Sequence, residues 1–262
     1  MAAKRTSSGW ATNWANLQTE DRPSAMCGRF TLRTPATVLT KQFDLDVRDD
    51  RQLALFEPRY NIAPTQDIVV VRADADNGWR TATLMRWGLI PSWSKAMAAG
   101  PPMINARAET LAEKPAFRTA LRRRRCLIPA DGFYEWQQLP GRAKGKKQPF
   151  YIHRPDGAPF SFAGLWETWN DASANLTFES CTIVTTEANS KLRELHDRMP
   201  VVLATNDCAA WLDPKTEDPS QLQHLLAPCP DDELMAEPVS THVNRVANDD
   251  PRCIEVQRSL FS

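Results

Sequence analysis

The side chains that could perform covalent or acid–base chemistry are few and scattered. Cysteines stand at positions 27, 126, 181, 208, 229 and 253, and histidines at positions 153, 196, 224 and 242. No two cysteines form a Cys-x-x-Cys pair, so neither a zinc ribbon nor a dense disulfide framework is indicated, and reduced thiols are expected. Four dispersed histidines argue against a multi-histidine metal centre. The sequence therefore favours chemistry by individual side chains over chemistry at a metal centre.

Motifs of several large enzyme classes are absent. The sequence has no Gly-x-Gly-x-x-Gly, no Walker A loop, no His-Glu-x-x-His and no Gly-x-Ser-x-Gly. This argues against dinucleotide binding, P-loop phosphate binding, zinc-peptidase chemistry and nucleophile-elbow hydrolysis. We accordingly expect no cofactor and no metal.

The composition is that of an ordinary globular protein. Apolar residues make up 42% of the 262 residues and charged residues 24%, with 32 basic and 32 acidic side chains. That balance excludes a uniformly basic surface but leaves room for a local cationic patch. No apolar run approaches the roughly 18 residues of a membrane span, and no signal peptide is recognisable. We expect a soluble, cytoplasmic protein, associated with the nucleoid if its source is prokaryotic.

The elements that must position these side chains are mostly strands. We predict a hairpin over 68–72 and 81–89 and further strands over 126–129, 133–138, 149–153, 160–169 and 177–186. A basic loop over 141–147 is predicted to be a mobile hairpin tip. Helices are expected after Thr34 as N-cap with Pro35 as first helical residue, over 106–121 with a break or kink at Pro115, and over 187–195.

These elements favour one α+β domain with a β-rich, barrel-like antiparallel core and inserted helices. We predict that residues 26–256 form it. Residues 1–25 are expected to be a poorly ordered extension, or a product of an over-long gene model, and residues 257–262 a short tail.

Seven ordered segments of this domain resemble one known family. They are Met26-Cys27-Gly28-Arg29-Phe30, Tyr60-Asn61-Ile62-Ala63-Pro64, Trp87-Gly88-Leu89-Ile90-Pro91-Ser92-Trp93, Ile104-Asn105-Ala106-Arg107-Ala108-Glu109, Arg125-Cys126-Leu127-Ile128-Pro129-Ala130-Asp131-Gly132-Phe133-Tyr134-Glu135-Trp136, Ile183-Val184-Thr185-Thr186 and Leu195-His196-Asp197-Arg198-Met199-Pro200. In this order and spacing they are similar to the SRAP family of SOS response-associated peptidases, or abasic-site processing proteins. The resemblance runs from Met26 to about Val256.

The resemblance implies that Cys27 becomes the mature N-terminus and cross-links to the aldehyde of an abasic site in single-stranded DNA. An N-terminal cysteine offers an α-amine and a thiol in a geometry that closes a five-membered thiazolidine ring. The unperturbed amine has a pKa of about 7.7–8.0, so part of it is neutral at physiological pH. Such an adduct would shield the lesion during replication.

The sequence departs from the family pattern before Met26. An acylated Cys27 nitrogen cannot attack an aldehyde, so residues 1–26 must be missing from the active form. Three explanations remain open: translation starts at Met26, the preceding segment is cleaved between Met26 and Cys27, or the protein does not cross-link. We favour the first, and the second next.

Three further catalytic residues are carried over from the family. Glu135 resembles the catalytic glutamate, whose flanking aromatics would desolvate it for proton transfer. His196 resembles the histidine that assists sugar opening and adduct reversal, and Asn105 the residue that holds the sugar and the amine. Outside this context they would be a solvent-facing strand glutamate, a helix-end histidine and a turn asparagine.

The resemblance also implies a DNA-binding surface. Phosphate contacts are expected from Arg29, Arg107 and Arg198 because guanidinium groups match phosphate oxygens. Apolar stacking or wedging beside bases is expected from Pro64, Trp87 and Trp93, with a buried core tryptophan as the alternative. Thr185 is expected to hydrogen-bond near the abasic sugar, with an ordinary strand threonine as the alternative.

The expected partner is therefore single-stranded DNA containing abasic sites, bound by a monomer without membrane association. Two other functions remain open. One is a cysteine-type peptidase or autopeptidase, or a lyase, in which Cys27 acts with Glu135 and His196. The other is a non-catalytic single-strand-binding module, which applies if the N-terminal extension is retained. Capping the α-amine while sparing the thiol would abolish the DNA adduct but leave thiolate-driven peptide hydrolysis.

Overall fold

The computed structural model describes residues 28–47, 50–97, 100–138, 147–171 and 175–257. Strands in these ranges are β1 (Phe30–Leu32), β2 (Arg59–Ile62), β3 (Asp67–Ala73), β4 (Arg80–Trp87), β5 (Asn105–Arg107), β6 (Arg125–Ala130), β7 (Gly132–Gln138), β8 (Lys147–His153), β9 (Phe160–Asp171), β10 (Leu176–Glu187), β11 (Arg198–Pro200), β12 (Val202–Leu203) and β13 (Met235–Pro238). The α-helices are α1 (Ala36–Gln42), α2 (Asp50–Leu53), α3 (Arg118–Arg123) and α4 (Cys208–Leu212). Short 3₁₀ helices cover Ala108–Thr110, Leu192–Glu194, Thr205–Asp207, Pro219–Leu226, Thr241–Asn244 and Pro251–Ile254.

Five strands close into a ring. β4 pairs with β3, β3 with β6, β6 with β9, β9 with β10, and β10 returns to β4. Closure leaves no free edge along the ring. The β4–β10 and β5–β10 pairs are parallel, and the remaining strand pairs are antiparallel. The predicted α+β fold with a barrel-like core is confirmed, with these two parallel pairs as its departure from an antiparallel arrangement.

A second sheet, ordered β13-β8-β7-β1-β2, packs on the barrel through aromatic side chains. Phe30 of β1 meets Trp87 of β4 with ring centroids 5.3 Å apart, and Phe133 of β7 meets Phe162 of β9 at 5.9 Å. Both contacts are edge-to-face, a geometry that adds to the free energy gained from apolar burial. The ends of β1 and β7 are thereby held against the barrel.

The predicted strands and the predicted hairpin are confirmed. The hairpin is β3–β4, paired from Asp67↔Arg86 to Ala73↔Arg80, and Gly78 turns its tip with a φ of +72°. β-branched and apolar residues at 68–71 supply buried positions of the ring. The 26–256 boundary remains a prediction. Residues 1–25, nearly all of the predicted 141–147 loop, and residues 258–262 lie outside the described ranges.

The predicted helix over 106–121 is wrong. Its beginning belongs to strand β5, which pairs in parallel with β10, and only Ala108–Thr110 and α3 are helical. Hydrogen bonds to β10 outweigh the weak helix preference of alanine-rich sequence, and Pro115 lies in the turn before α3. The helix predicted over 187–195 is likewise reduced to the 3₁₀ turn Leu192–Glu194.

Helix α1 begins later than predicted because Thr34 has another partner. Its N-cap is Pro35, which makes no side-chain cap bond. The Thr34 hydroxyl donates instead to Asp131, whose carboxylate also accepts the backbone N–H groups of Arg33 and Thr34. Asp131 is buried, so this contact joins the end of β1 to the corner between β6 and β7. Within the described ranges, no helix is both long and apolar enough to cross a membrane.

Arg125, the last of four consecutive arginines, is a buried structural residue with 5% exposure. Its guanidinium donates to the carbonyls of Leu121 and Arg122 at 2.7 and 2.8 Å and to that of Trp211 at 2.6 Å. It also donates to the Asp213 carbonyl. These acceptors lie at the C-terminal ends of α3 and α4, where unpaired carbonyls and the helix dipole favour a cation. Arg125 therefore joins two helices to the barrel.

We predict that Arg125→Leu lowers the free energy of unfolding by about 3 kcal/mol or more, because four carbonyls, two of them in fully buried hydrogen bonds, lose a charged donor. Urea denaturation would measure the change. The adjacent Arg122 is exposed, so Arg122→Gln should change stability by no more than about 0.5 kcal/mol. Equal unfolding midpoints for the two variants would contradict the structural role of Arg125.

Candidate functional site

One end of strand β10 gathers four of the predicted site residues. β5 lies on one side, with Asn105 opposite Ile183 and Arg107 opposite Thr185. β11 lies on the other side, where Arg198 pairs with Glu187. Asp197 alone separates His196 from β11. The barrel therefore brings Asn105, Arg107, His196 and Arg198 to one rim, although they are separated by some ninety residues of sequence.

The second sheet supplies Arg29 and Glu135. The N–H of Tyr134 donates to the Arg29 carbonyl at 3.0 Å, so β1 and the residue next to Glu135 are hydrogen-bonded neighbours. Alternate strand residues face opposite sides. Glu135 therefore shares the barrel-facing side of β7 with Phe133, and it is 6% exposed.

A hydrogen bond connects the two groups of residues. The Gln137 side-chain amide donates to the Glu194 carbonyl at 2.8 Å. Gln137 lies two positions beyond Glu135 on β7, and Glu194 lies two positions before His196. The contact holds the outer end of β7 against the turn that carries the histidine, so Glu135 and His196 belong to neighbouring elements.

Arg29 is held on the opposite face of β7. Its Nη1 donates to Asn61 Oδ1 at 2.9 Å and to the Val243 carbonyl at 3.1 Å, and its guanidinium lies 5.8 Å from the centre of the Trp136 ring. Burial lowers the pKa of Arg29 from its usual value. Arg29 therefore presents a cation whose position is fixed before any ligand binds.

Arg198 is already engaged by a carboxylate. Nη1 and Nη2 donate to the two oxygens of Glu109 at 3.0 and 2.9 Å, and Nη2 also donates to the Thr185 carbonyl at 2.7 Å. Burial raises the pKa of Glu109, but the hydrogen bonds and charge of Arg198, with help from Arg107, hold it below its usual value. A phosphate would have to displace Glu109 to use the same fork of Arg198.

The His196 ring is anchored at Nδ1. This atom lies 3.1 Å from the Arg198 backbone nitrogen and 2.9 Å from Asp197 Oδ1. A neutral ring accepts the Arg198 N–H at Nδ1, whereas a protonated ring donates from Nδ1 to Asp197. The ring consequently has a partner in either protonation state, as a residue that gives and takes protons requires.

The burial of Trp87 favours the core alternative, and its stacking on a base remains a prediction. The side chain is fully buried, its ring packs on Phe30, and its Nε1 donates to the Ile104 carbonyl at 2.9 Å. Ile104 directly precedes Asn105. Trp87 therefore supports the strand that carries Asn105.

Thr185 is also a supporting residue. It is fully buried, and its hydroxyl donates to the Ala106 carbonyl at 3.5 Å. Its expected hydrogen bond near the abasic sugar remains a prediction. Its own carbonyl holds Arg198.

Other predicted DNA contacts have accessible surface. Arg107 is exposed, Pro64 is half-buried, and Trp93 is 65% exposed. Pro64 lies in a turn that contacts the end of β4, because the Thr65 N–H donates to the Trp87 carbonyl at 2.8 Å. The stacking and phosphate roles of these residues remain predictions.

The five described cysteines are all buried, and none is disulfide-bonded. Burial raises the pKa of Cys229 to about 12 and those of Cys126, Cys181, Cys208 and Cys253 above the usual value. None of these thiols can supply a thiolate at neutral pH. Cys27 lies outside the described residues.

The described residues include one cluster of metal-type ligands, formed by His242, Asp250 and Cys253. His242 Nε2 lies 3.1 Å from Asp250, Asp250 also accepts from Arg252, and the Cys253 thiol donates to the Asn248 carbonyl. These groups already satisfy one another. The cluster therefore acts as a hydrogen-bonded anchor for the C-terminal segment.

Two residues in the quoted motifs had no role assigned from sequence. Asn61 is fully buried and donates to the carbonyls of Val243, Arg245 and Asn248 at 2.7–3.0 Å. Glu109 holds Arg198. Their place inside the motifs was a signal, but their partners lie far away in sequence and only folding identifies them.

Comparison with known proteins agrees with this arrangement. The profile of the family described as SOS response associated peptidase (SRAP) matches residues 26–246. "Abasic site processing protein YoqW" of Bacillus subtilis (strain 168) is 44% identical over 230 residues, covering 88% of this chain and 99% of that protein. "Abasic site processing protein HMCES" of Xenopus tropicalis is 32% identical over 230 residues, covering 76% of this chain and 66% of that protein.

The fold is shared with a protein of Bacteroides thetaiotaomicron whose crystal structure superposes with a TM-score of 0.77 at 23% identity, covering 88% of this chain and all of that one. At that identity the likeness concerns the fold alone. The family profile, by contrast, spans most of the sequence, and the bacterial relative aligns over nearly its whole length. This chain belongs to the SRAP family.

Proposed function

We propose that this protein recognises abasic sites in single-stranded DNA and captures them through Cys27 as its mature N-terminal residue. The observation that carries the proposal is the hydrogen bond between the Arg29 carbonyl and the Tyr134 N–H, beside Glu135. Consecutive Cα atoms lie about 3.8 Å apart, and two peptide units join residue 27 to Arg29. The names of the relatives as abasic site processing proteins support the same substrate.

The reaction joins one aldehyde, one amine and one thiol with loss of water. The Cys27 α-amine adds to C1′ of the ring-opened sugar, giving a carbinolamine that expels hydroxide as water after protonation. The Cys27 sulfur then adds to the resulting iminium carbon, and the thiol proton is released to a base. The product is a thiazolidine, in which C1′ bonds both nitrogen and sulfur. No oxidant or reductant is required.

Glu135 and His196 are suited to the proton transfers. Glu135, on the barrel-facing side of β7, would donate the proton that lets the carbinolamine oxygen leave and accept a proton when sulfur adds. His196, anchored at Nδ1, would assist opening of the sugar ring. Asn105, on β5, would hold the sugar and amine by an uncharged amide.

The burial of the other thiols supports this assignment. The five described cysteines have raised pKa values and no exposed position at the rim. The sequence has six cysteines, and Cys27 is the one that remains beside these five. A cysteine nucleophile two residues before Arg29 fits these observations, and amine attack additionally requires that residues 1–26 are absent from the active form.

The proposed DNA contacts are electrostatic and stacking rather than base-specific. Arg107 is exposed at the rim, and Arg29 is held on the face of β7 opposite to Glu135. Phosphate binding by such groups makes affinity fall with salt, and a missing base leaves no edge to read. The exposed Trp93 would stack on a neighbouring base, where a stack contributes roughly 1–3 kcal/mol.

We predict that Cys27→Ala binds single-stranded DNA but forms no covalent product with an abasic oligonucleotide on a denaturing gel. The variant lacks the sulfur that traps the iminium ion. As a control, Cys229→Ala removes a buried thiol of raised pKa and should retain the adduct. A stable adduct in Cys27→Ala would refute the assignment.

Glu135→Gln should slow cross-linking at saturating DNA by at least tenfold, since general acid–base catalysis typically contributes about 10²–10⁴-fold. Its affinity for single-stranded DNA should change far less. Single-turnover gels and fluorescence anisotropy measure the two quantities. Glu57→Gln, the same change at an exposed carboxylate, should leave both unaltered. Equal losses of rate and affinity in Glu135→Gln would reassign this residue to structure.

Glu109→Gln should free the Nη1 and Nη2 groups of Arg198 to bind a phosphate. The plot of log affinity for single-stranded DNA against log salt should then steepen by about 0.7, the contribution of one additional phosphate contact. Glu113→Gln removes an exposed carboxylate nearby and should leave the slope unchanged. An unchanged slope in Glu109→Gln would show that Arg198 positions β11 and His196 without contacting phosphate.

A further inference from the structure

We propose that a polar groove beside Arg29 is a second nucleotide subsite, in which Arg245 binds a backbone phosphate flanking the lesion. The groove is lined by Ser240, Thr241, His242, Asn244, Arg245 and Asn248. The inference rests on the proposed function, because it assigns a path to the same DNA strand. It adds a binding site that the seven motifs do not contain.

The size and chemistry of the groove suit a nucleotide. Its volume is about 530 Å³, within the roughly 300–1,000 Å³ of pockets that hold small ligands. Hydroxyl, amide, imidazole and guanidinium groups line it, and no carboxylate does. Such a set offers several hydrogen-bond donors and one cation to an anionic, polar ligand.

Arg245 is the cation that gives this groove its charge. It is exposed, and its side chain forms no hydrogen bond or ion pair within the described part of the chain. The two adjacent carboxylates are used elsewhere: Asp249 accepts from Arg59 and from the Tyr60 and Asn61 N–H groups, and Asp250 from Arg252. Arg245 can therefore bind a phosphate without first breaking a salt bridge.

The backbone that carries Arg245 is fixed by a buried side chain. Asn61 Nδ2 donates to the carbonyls of Val243, Arg245 and Asn248 at 3.0, 3.0 and 2.7 Å. The side-chain amide of Asn61 thus holds both ends of the segment 243–248, which carries Arg245. Pre-organisation of this kind reduces the entropy lost when a ligand binds.

The groove is continuous with the Arg29 site. Asn61 Oδ1 accepts from Arg29 Nη1 at 2.9 Å, and the same nitrogen donates to the Val243 carbonyl at 3.1 Å. The Asn244 side chain accepts from Trp136 Nε1 at 2.8 Å. Arg29 and the Arg245 backbone are therefore linked through one shared residue, as expected for two phosphate contacts along one strand.

The test compares Arg245→Gln with the wild-type protein, each with Cys27 as its N-terminal residue, by fluorescence anisotropy, using an undamaged oligothymidylate of about 16 nucleotides across a salt series. We expect several-fold weaker binding at low salt and a slope of log affinity against log salt that is shallower by about 0.7. Arg245→Lys, which keeps the charge, should recover most of the slope.

Arg118→Gln is the matched control, because Arg118 is equally exposed but lies on α3. Its slope should equal that of the wild type. An Arg245→Gln slope equal to the wild-type slope, in wild-type protein that binds the oligonucleotide, would overturn the subsite alone. Wild-type protein that neither binds this DNA nor cross-links abasic DNA would overturn the proposed function, and the subsite with it.

Discussion

The short pairing of β1 with β7 is the constraint on which the candidate site depends. Phe30 opposite Phe133 sets the register, and both rings are buried against barrel aromatics. A shift by one residue would turn each of these rings toward the other face and expose it, which apolar burial opposes. Because the register is determined in this way, the Arg29 carbonyl meets the Tyr134 amide and the start of the described chain lies beside Glu135.

The rim of the barrel is assembled around one strand. β10 pairs with β5 over residues 183–185, with β11 over residues 185–187, and with β4 and β9 further back. The parallel partners β4 and β5 are joined by a long connection, in which Gly88 has a φ of +131° and leaves no room for a side chain against Pro102. This connection lets Asn105 reach the rim while Trp87 remains buried in the core.

The two fixed arginines of the site have different kinds of partner. Arg29 is bound by an amide, a carbonyl and an indole ring, whereas Arg198 is neutralised by Glu109. The exposed Arg107 and Arg245 carry positive charge that no carboxylate of the described chain binds directly. An arrangement with two fixed cations and two accessible ones is consistent with a strand that is held by its phosphates along a path. It also explains how a chain of zero net charge could attract a polyanion.

Much of the fold could be predicted from the sequence because strand patterning is local. Alternating and β-branched segments identified the β3–β4 hairpin and strands β6 to β10, and motif spacing identified the residues of the rim. What it could not determine was which aromatic and polar motif residues are exposed. Trp87 and Thr185 are buried, which no local pattern in the sequence showed, and a helix was expected where β5 forms because its hydrogen-bond partner lies about eighty residues away. The roles of Asn61, Glu109 and Arg245 were likewise decided by tertiary structure, since burial and long-range hydrogen bonds depend on contacts that no local pattern encodes.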